Sequence, residues 1–149
     1  MSTEKQASQA LATIMAFDFG TKRIGVAVGQ SITGTATPLS PLSARDGIPD
    51  WEQIGRLLEE WKPDAVLVGI PLNMDGSESE MSLRARKFGN RLHGRFHKKL
   101  IFSDERLTSF EAKGMVIERG GNRNFGENSV DGLAAMLLLE GWFRDNVDN

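Results

Sequence analysis

The sequence predicts a single α/β domain built on a mixed sheet of five strands with helices on both faces. Short apolar runs of strand length alternate with segments of helical periodicity along the 149 residues, which is typical of a layered α/β fold. The run Ala65–Ile70 (AVLVGI) is apolar at every position, as expected of a central strand covered on both faces. Hydrophobic residues make up 40% and charged residues 26% of the chain, which is ordinary for a globular protein.

The strands begin with a hairpin, because two apolar runs flank a short polar turn that contains Gly20. Pro41 is expected to end the third strand, since proline cannot donate a ladder hydrogen bond. Residues 42–49 are predicted to form a loop. The five predicted strands are Ile14–Phe17, Ile24–Val28, Ala36–Ser40, Ala65–Ile70 and Leu100–Ser103.

Four helices are predicted from apolar residues that recur every three or four positions. Asp50 with Gln53, and Thr108 with Glu111, have the spacing of capping boxes at two of the helix starts. The predicted helices begin at Asp50 and stop at Pro63, span Glu80–Phe96, span Thr108–Arg119, and begin near Asn128 or Ser129.

Residues 1–12 are predicted to be a disordered lead-in, residues 13–144 the folded domain and residues 145–149 a short tail. The chain has no cysteine, which excludes disulfides, thiolate nucleophiles and thiolate zinc sites. The longest apolar run near the N-terminus, Ala10–Phe17, is too short to cross a bilayer and lacks the features of a signal peptide. We therefore expect a cytoplasmic protein with no membrane partner.

Four acidic residues lie at the ends of predicted elements. Asp18 ends the first strand, and Asp131 lies in the first turn of the last helix. Asp104 and Glu105 follow the last strand. If the first and last strands flank Ala65–Ile70, their carboxyl ends meet at one edge of the sheet. Converging carboxylates bind hard divalent cations such as Mg²⁺ or Mn²⁺; the alternative is that each residue is an ordinary cap or turn residue.

Basic residues cluster, although the net charge is only −2. Residues 81–103 include seven basic residues and no acidic one, which indicates a polyanionic partner such as nucleic acid. The stripe expected on the solvent face of the second helix consists of Arg84, Lys87, Arg91, Arg95 and Lys98. A merely solvated face is the alternative, but such a face usually mixes both signs of charge. Lys22, Arg23 and Arg106 lie beside the acids, where they would bind phosphate or balance the acidic charge.

Four stretches of the chain carry recognisable motifs. They are DFGTKRIGVAVG at Asp18–Gly29, VGIPLNMDGS at Val68–Ser77, DERLTSFEA at Asp104–Ala112 and VDGLAAMLLLE at Val130–Glu140. In type and order they resemble the YqgF/RuvX family of pre-16S rRNA nucleases, which are also described as Holliday junction resolvases. The resemblance covers essentially Thr13–Arg144 and implies an RNase H-like fold related to that of the resolvase RuvC.

The resemblance also implies an acidic metal site and assigns the catalytic and metal-binding roles to Asp18, Glu105 and Asp131. Asp104 is the alternative to Glu105 at the strand end. Gly132 stands where the family commonly has serine, and this glycine is expected to loosen the helix start by up to about 1 kcal/mol.

A nuclease of this family would use Mg²⁺ or Mn²⁺ to hydrolyse phosphodiester bonds in structured RNA, with 5′-end maturation of pre-16S rRNA in ribosome biogenesis as its role. Asp18 would bridge two ions, and Glu105 and Asp131 would complete their ligand shells. The implied partners are nucleic acid and ribosomal particles, and the implied assembly is a monomer or weak homodimer.

Three other functions are compatible with parts of this pattern. A resolvase of four-way DNA junctions would share the chemistry, and a ribosome-assembly factor that binds RNA without cutting it would need only the basic residues. A nucleotide-binding module of the actin-like or sugar-kinase type fits less well. That class needs two domains, whereas this chain has one Asp-x-Gly-Thr motif, at Asp18–Thr21.

Overall fold

The computed structural model describes residues 13–105 and 126–146, with the side chains of the last helix from residue 132 onward. Its strands are β1 Thr13–Asp18, β2 Arg23–Gln30, β3 Thr35–Arg45, β4 Ile48–Pro49, β5 Ala65–Ile70 and β6 Lys99–Asp104. Its helices are α1 Trp51–Trp61, α2 Glu80–Phe96 and α3 Gly126–Asn146. The central strand β5 and helix α2 have the bounds predicted from the sequence, and the predicted helix Thr108–Arg119 lies outside the described residues.

Six strands form one mixed sheet in the order β4-β3-β2-β1-β5-β6. The pairs β1–β2, β2–β3 and β3–β4 are antiparallel. Strand β5 pairs with β1 on one side and with β6 on the other, and both pairings are parallel. The prediction of a mixed sheet is confirmed, whereas the prediction of five strands is wrong because the short strand β4 adds a sixth.

Strand β3 continues past the proline that was expected to end it. The pairing with β2 shifts between Ile24 and Val26, so two residues of β3, Ser40 and Pro41, lie opposite the single residue Gly25. Two residues facing one is the arrangement of a β-bulge. Since a bulge interrupts the regular hydrogen-bond ladder, it accommodates Pro41 without ending the strand.

Residues 42–49, which were predicted to be a loop, instead complete β3 and return as β4. The turn between these strands consists of Asp46 and Gly47, with φ angles of 54° and 84°. Positive φ at two successive residues is typical of the type I′ turn in a two-residue hairpin, for which Asp-Gly is a preferred sequence. The Asp-Gly pair is therefore the sequence signal for this hairpin.

The hydrophobic core lies on both faces of the sheet, because successive residues of β1 and β5 point to opposite faces. Helices α1 and α2 cover one face, and we call this core the α1–α2 layer. It includes Phe17, Ile54, Val68, Phe88 and Leu92. Helix α3 covers the other face, and this core is the α3 layer. It includes Ile14, Ala16, Leu67, Leu138 and Leu139.

The first two helices begin at side-chain caps. Asp50 Oδ1 accepts a hydrogen bond from the backbone N–H of Glu52 at 3.0 Å, so Asp50 is the N-cap of α1 as predicted. Ser79 caps α2 in a reciprocal box with Ser82. Trp61, the last residue of α1, is 38% exposed. None of the helices in the described part of the chain has the length and apolarity of a membrane span.

Glycine at position 132 allows α3 to approach β3 closely. A Cβ atom built at Gly132 would lie 2.9 Å from Pro38 Cβ and 3.1 Å from the backbone oxygen of Leu39. Both distances are shorter than the optimal separation of nonbonded heavy atoms. The glycine therefore contributes to packing, which offsets the helix-propensity cost expected from the sequence.

We predict that Gly132→Ala lowers the free energy of unfolding by about 1–2 kcal/mol, because the added methyl group overpacks the contact with Pro38. Gly94→Ala is the matched control. Gly94 also lies within a helix, but nothing lies within 4 Å of its Cβ position. Alanine should therefore raise the free energy of unfolding there by about 0.5–1 kcal/mol. Urea denaturation measures both values, and stabilisation by Gly132→Ala would contradict the packing role.

Candidate active site

The carboxyl ends of three parallel strands lie side by side at one edge of the sheet. Strand β5 lies between β1 and β6, with Phe17 opposite Val68 and Ile70 opposite Asp104. The expectation that the first and last predicted strands flank the central strand is confirmed. In open α/β sheets, functional groups gather outside this edge.

Asp18 is the last residue of β1 and belongs to the sheet face that α3 covers. Strand alternation groups it with Ile14 and Ala16, both of which are buried in the α3 layer. Asp18 itself is only half-buried, because it lies where the strand leaves the core.

Two glycines flank Asp18 in the neighbouring strands. Gly25 is its partner in β2. Gly69 lies beside it in β5, one position beyond the pair formed by Phe17 and Val68. Neither glycine has a side chain to cover the sheet surface. Because adjacent strands are about 4.8 Å apart, a group that lies over Gly69 is within reach of the Asp18 carboxylate.

The side chain of Glu105 lies over Gly69. A Cβ atom built at Gly69 would lie 2.6 Å from Glu105 Oε2 and 2.9 Å from Glu105 Cγ. The same Cβ would lie 2.8 Å from Leu138 Cδ2 in α3, so Glu105 is on the same face of the sheet as Asp18. The missing side chain at Gly69 provides the space that the Glu105 carboxylate occupies.

Asp104 belongs to the opposite face of the sheet. It pairs with Ile70, which is buried in the α1–α2 layer. Phe102, two positions earlier in β6, packs against the same layer. Strand alternation therefore directs Asp104 away from the face that carries Asp18 and Glu105.

Asp131 lies in α3, but its side chain, like the whole of Arg106, is outside the described residues. The backbone of the next residue, Gly132, contacts β3, and Leu138, which lies six residues further along the helix, contacts Gly69. Helix α3 therefore runs across the face that carries Asp18. Among the side chains that the structure describes, no three acidic or histidine residues form a metal-binding group, and Asp131 is the expected third member.

Two cations follow Asp18 closely in the chain, Lys22 in the turn between β1 and β2 and Arg23 at the start of β2. Lys22 and Arg23 are both exposed. Hydrogen bonds to the β3–β4 hairpin hold the turn in place. The Gly47 N–H donates to the carbonyl of Thr21, and the Ala44 N–H donates to the carbonyl of Lys22, each at 2.8 Å. Both cations therefore start from a fixed backbone.

The basic stripe of α2 is only partly exposed. Lys87 and Arg91 face solvent. Arg84 is half-buried, and its Nη2 donates to the backbone oxygen and to Oδ1 of Asp46, both at 3.0 Å. The expectation of a uniformly solvent-facing stripe is therefore wrong for Arg84, which connects α2 to the β3–β4 turn.

The stripe also ends earlier than expected. The guanidinium of Arg95 lies 4.5 Å from the centroid of the Trp51 ring, a cation–π contact. Helix α2 ends at Phe96, so Lys98 does not continue the stripe. Lys98 Nζ instead donates to the backbone oxygen of Pro63 at 3.0 Å.

Arg86 of α2 forms a salt bridge with Glu78. Its Nη2 donates to Glu78 Oε2 at 2.8 Å, and its Nε donates to the same carboxylate. These hydrogen bonds lower the pKa of Glu78 below its ordinary value and raise the pKa of Arg86. Lys87 and Arg91, by contrast, make no ion pair within residues 13–105 and 126–146.

A family model described as RuvX, Holliday junction resolvase, matches residues 12–145 of this chain. The chain belongs to the RuvX family. A relative from Marinobacter nauticus, named "Putative pre-16S rRNA nuclease", is 62% identical over 134 residues, covering 90% of this chain and 94% of the relative. A relative of the same name from Aeromonas hydrophila is 58% identical over 133 residues, covering 89% and 95%.

Solved structures of resolvases have the same fold as this RuvX chain. The structure of T. thermophilus RuvC in complex with a Holliday junction substrate matches with a TM-score of 0.53 at 17% identity, covering 91% of this chain and 95% of that chain. The complex of fowlpox virus resolvase with Holliday junction DNA matches with a TM-score of 0.55 at 14% identity, covering 91% and 99%. The RNase H-like fold implied by the sequence motifs is confirmed.

The sequence motifs of this RuvX chain identified the acidic residues at the edge of the sheet, but not the two glycines that flank Asp18. Gly69 lies inside the apolar run AVLVGI, and Gly25 lies inside the second strand. A glycine within a strand pattern often marks the close approach of another group. That signal identifies Gly69 as the residue over which another side chain lies.

We predict that Gly69→Ala lowers the free energy of unfolding, because the added methyl group would collide with Glu105 and Leu138. Part of this loss should disappear when Glu105 is also replaced by alanine, which gives a coupling energy of about 1 kcal/mol between positions 69 and 105. Urea denaturation of the wild type, both single variants and the double variant completes the cycle.

Gly29→Ala is the control for this cycle. A Cβ atom at Gly29 would lie 2.9 Å from both Leu139 Cδ2 and Phe143 Cε2. It therefore also overpacks α3, but at the other end of β1, where Gly29 pairs with Ile14. The cost of Gly29→Ala should be independent of Glu105. If the cost of Gly69→Ala is also independent of Glu105, the carboxylate does not lie over Gly69.

Proposed function

We propose that this chain is a divalent-cation-dependent endonuclease that hydrolyses phosphodiester bonds in structured RNA, with 5′-end maturation of pre-16S rRNA as its role in the cytoplasm. The observation that carries the proposal is the placement of two carboxylates on one face of the sheet edge. Asp18 ends β1, and Glu105 lies over Gly69 in the adjoining strand. The names of the relatives at 62% and 58% identity support RNA as the substrate.

The residues present fit a hard divalent cation, Mg²⁺ or Mn²⁺. Carboxylate oxygens are the ligands that these ions prefer. Gly69 has no side chain, and the Glu105 carboxylate fills the space over it, beside Asp18, where both carboxylates would serve as ligands of one ion. We assign Asp18, Glu105 and Asp131 as ligands. A bound cation would lower the pKa of a water molecule and offset negative charge on the phosphoryl oxygens.

The reaction is a hydrolysis in which water adds to phosphorus and the bond from phosphorus to the leaving 3′ oxygen breaks. The attacking water loses a proton to solvent and the leaving oxygen gains one, so the products are a 5′-phosphate and a 3′-hydroxyl. Lys22 and Arg23 are exposed next to the acidic edge. Both would bind phosphate oxygens through charge-assisted hydrogen bonds and so position the strand.

We predict that Asp18→Asn and Glu105→Gln each reduce Mg²⁺-dependent cleavage of a pre-16S rRNA fragment by at least about 100-fold, since each removes one ligand charge at nearly constant shape. Asp104→Asn is the matched control. It makes the same change one residue away but on the opposite face, and it should retain activity within a few-fold. Cleavage is measured by gel electrophoresis of end-labelled RNA, and thermal unfolding verifies that each variant is folded.

Two outcomes would contradict this assignment. Full activity of Asp18→Asn would reject the acidic site and favour a ribosome-assembly factor that binds RNA without cutting it. Loss of activity in Asp104→Asn together with retention in Glu105→Gln would exchange the roles of these two residues.

A Holliday junction resolvase is the second candidate, because the family model carries that description and the fold matches RuvC. Both candidates use the same chemistry, so only the substrate separates them. We expect cleavage of precursor rRNA and no symmetric cleavage of a four-way DNA junction at the same protein concentration. The reverse result would identify the resolvase.

A further inference from the structure

A basic pocket lies on the α2 side of the sheet, beside the edge that carries the acids. Its volume is about 240 Å³. Cavities for drug-sized ligands are typically about 300–1,000 Å³, so this pocket has room for one group of the size of a nucleobase. Three aromatic and three basic residues line most of it: Phe19, Trp51, Phe88, Arg84, Lys87 and Arg91.

The aromatic part of the pocket is held together by ring contacts. The Phe88 ring is 3% exposed and lies between the other two. Its centroid is 5.5 Å from that of Phe19 and 5.8 Å from that of Trp51. Rings packed against a buried neighbour do not need to rearrange before a ligand binds, so the apolar wall is preformed.

Two of the three basic residues that line the pocket make no ion pair within the described residues. Among the described residues, Asp46 is the one acid that lines the pocket, and it already binds Arg84 at 3.0 Å. Lys87 and Arg91 are exposed, and neither makes an ion pair in the part of the chain that the structure describes. An anion can therefore bind both residues without breaking an existing salt bridge.

The pocket and the acidic edge are adjacent along the chain. Phe19 in the pocket directly follows Asp18, and consecutive Cα atoms are about 3.8 Å apart. Alternation places the two side chains on opposite faces of the sheet. The exposed Lys22 and Arg23 follow Phe19 in the chain, and the turn that contains Lys22 is hydrogen-bonded to the hairpin that lines the pocket. The acids and the pocket therefore lie at the same end of β1, on opposite faces of the sheet.

We propose that this pocket binds one unpaired nucleotide that flanks the scissile phosphate. Its base enters the aromatic part, and its phosphate binds Lys87 and Arg91. The proposal rests on the nuclease function proposed above. Unpaired bases stack on aromatic side chains regardless of sequence, whereas bases within a helix are stacked on their neighbours and do not enter a small cavity. The pocket therefore favours a substrate with a single-stranded segment at the cleavage site.

The test is binding of the full chain to a fluorescent single-stranded RNA of about six nucleotides, measured by fluorescence anisotropy in EDTA so that no cleavage occurs. We expect Lys87→Glu and Arg91→Glu each to weaken binding about tenfold and to reduce the salt dependence of log K by about one. Arg56→Glu is the matched control. Arg56 is exposed on α1 and lines a different cavity, so reversing its charge should leave the affinity for the RNA within about twofold of the wild type.

Two further ligands separate base recognition from phosphate recognition. An abasic strand of the same length should bind the wild type about tenfold more weakly than the normal strand, because it lacks the stacking group. A duplex of the same length should also bind more weakly. Equal affinity for the normal and abasic strands, equal affinity for the duplex, or equal effects of Arg91→Glu and Arg56→Glu would each overturn the proposal.

Binding in EDTA keeps this proposal distinct from the nuclease function. If Asp18-dependent cleavage is observed and the Arg91→Glu variant binds like the Arg56→Glu control, the pocket proposal fails and the nuclease stands. If the pocket variants and the abasic strand both lose affinity while the wild type cleaves no RNA, the pocket proposal is supported and the nuclease function fails.

Discussion

Parallel pairing on both sides of β5 is the constraint on which the rest of the molecule depends. Because β5 pairs with both β1 and β6, these two strands, which are distant in sequence, end at the same edge of the sheet, one on each side of β5. All six residues of β5 are buried, which requires helices on both faces of the sheet. Strand alternation then sorts the polar residues at the edge by face. Asp18 and Glu105 belong to the α3 face, and Asp104 belongs to the other.

Two glycines allow the close contacts that position Glu105 and α3 at this edge of the sheet. Gly69 leaves the space that the Glu105 carboxylate fills, and Gly132 brings α3 against β3. At the same edge of the sheet, acidic and basic side chains lie on opposite faces. Asp18 and Glu105 lie on the face that α3 covers, whereas Lys87 and Arg91, which make no ion pair within the described residues, lie on α2. A net charge of −2 conceals this separation of charge between the two faces.

The sequence predicted correctly those strands and helices that are specified by residues close together in the chain. The apolar run of β5 and the helical periodicity of α2 gave the observed bounds. The β3–β4 region was mispredicted because Pro41 lies at a bulge, and a bulge depends on pairing with β2 that the sequence of β3 alone does not reveal. The choice between Asp104 and Glu105 was open for a related reason: a shift of one residue in register moves a side chain to the opposite face.

We propose that Asp18 and Glu105 jointly bind a divalent cation on the α3 face of the sheet. The most direct test is a crystal of the wild-type protein soaked in Mn²⁺, with anomalous diffraction used to locate the ion. We expect an anomalous peak between the carboxylates of Asp18 and Glu105, and loss of that peak in Glu105→Gln. A peak at Asp104 on the opposite face, or no peak at a Mn²⁺ concentration that supports RNA cleavage, would contradict it.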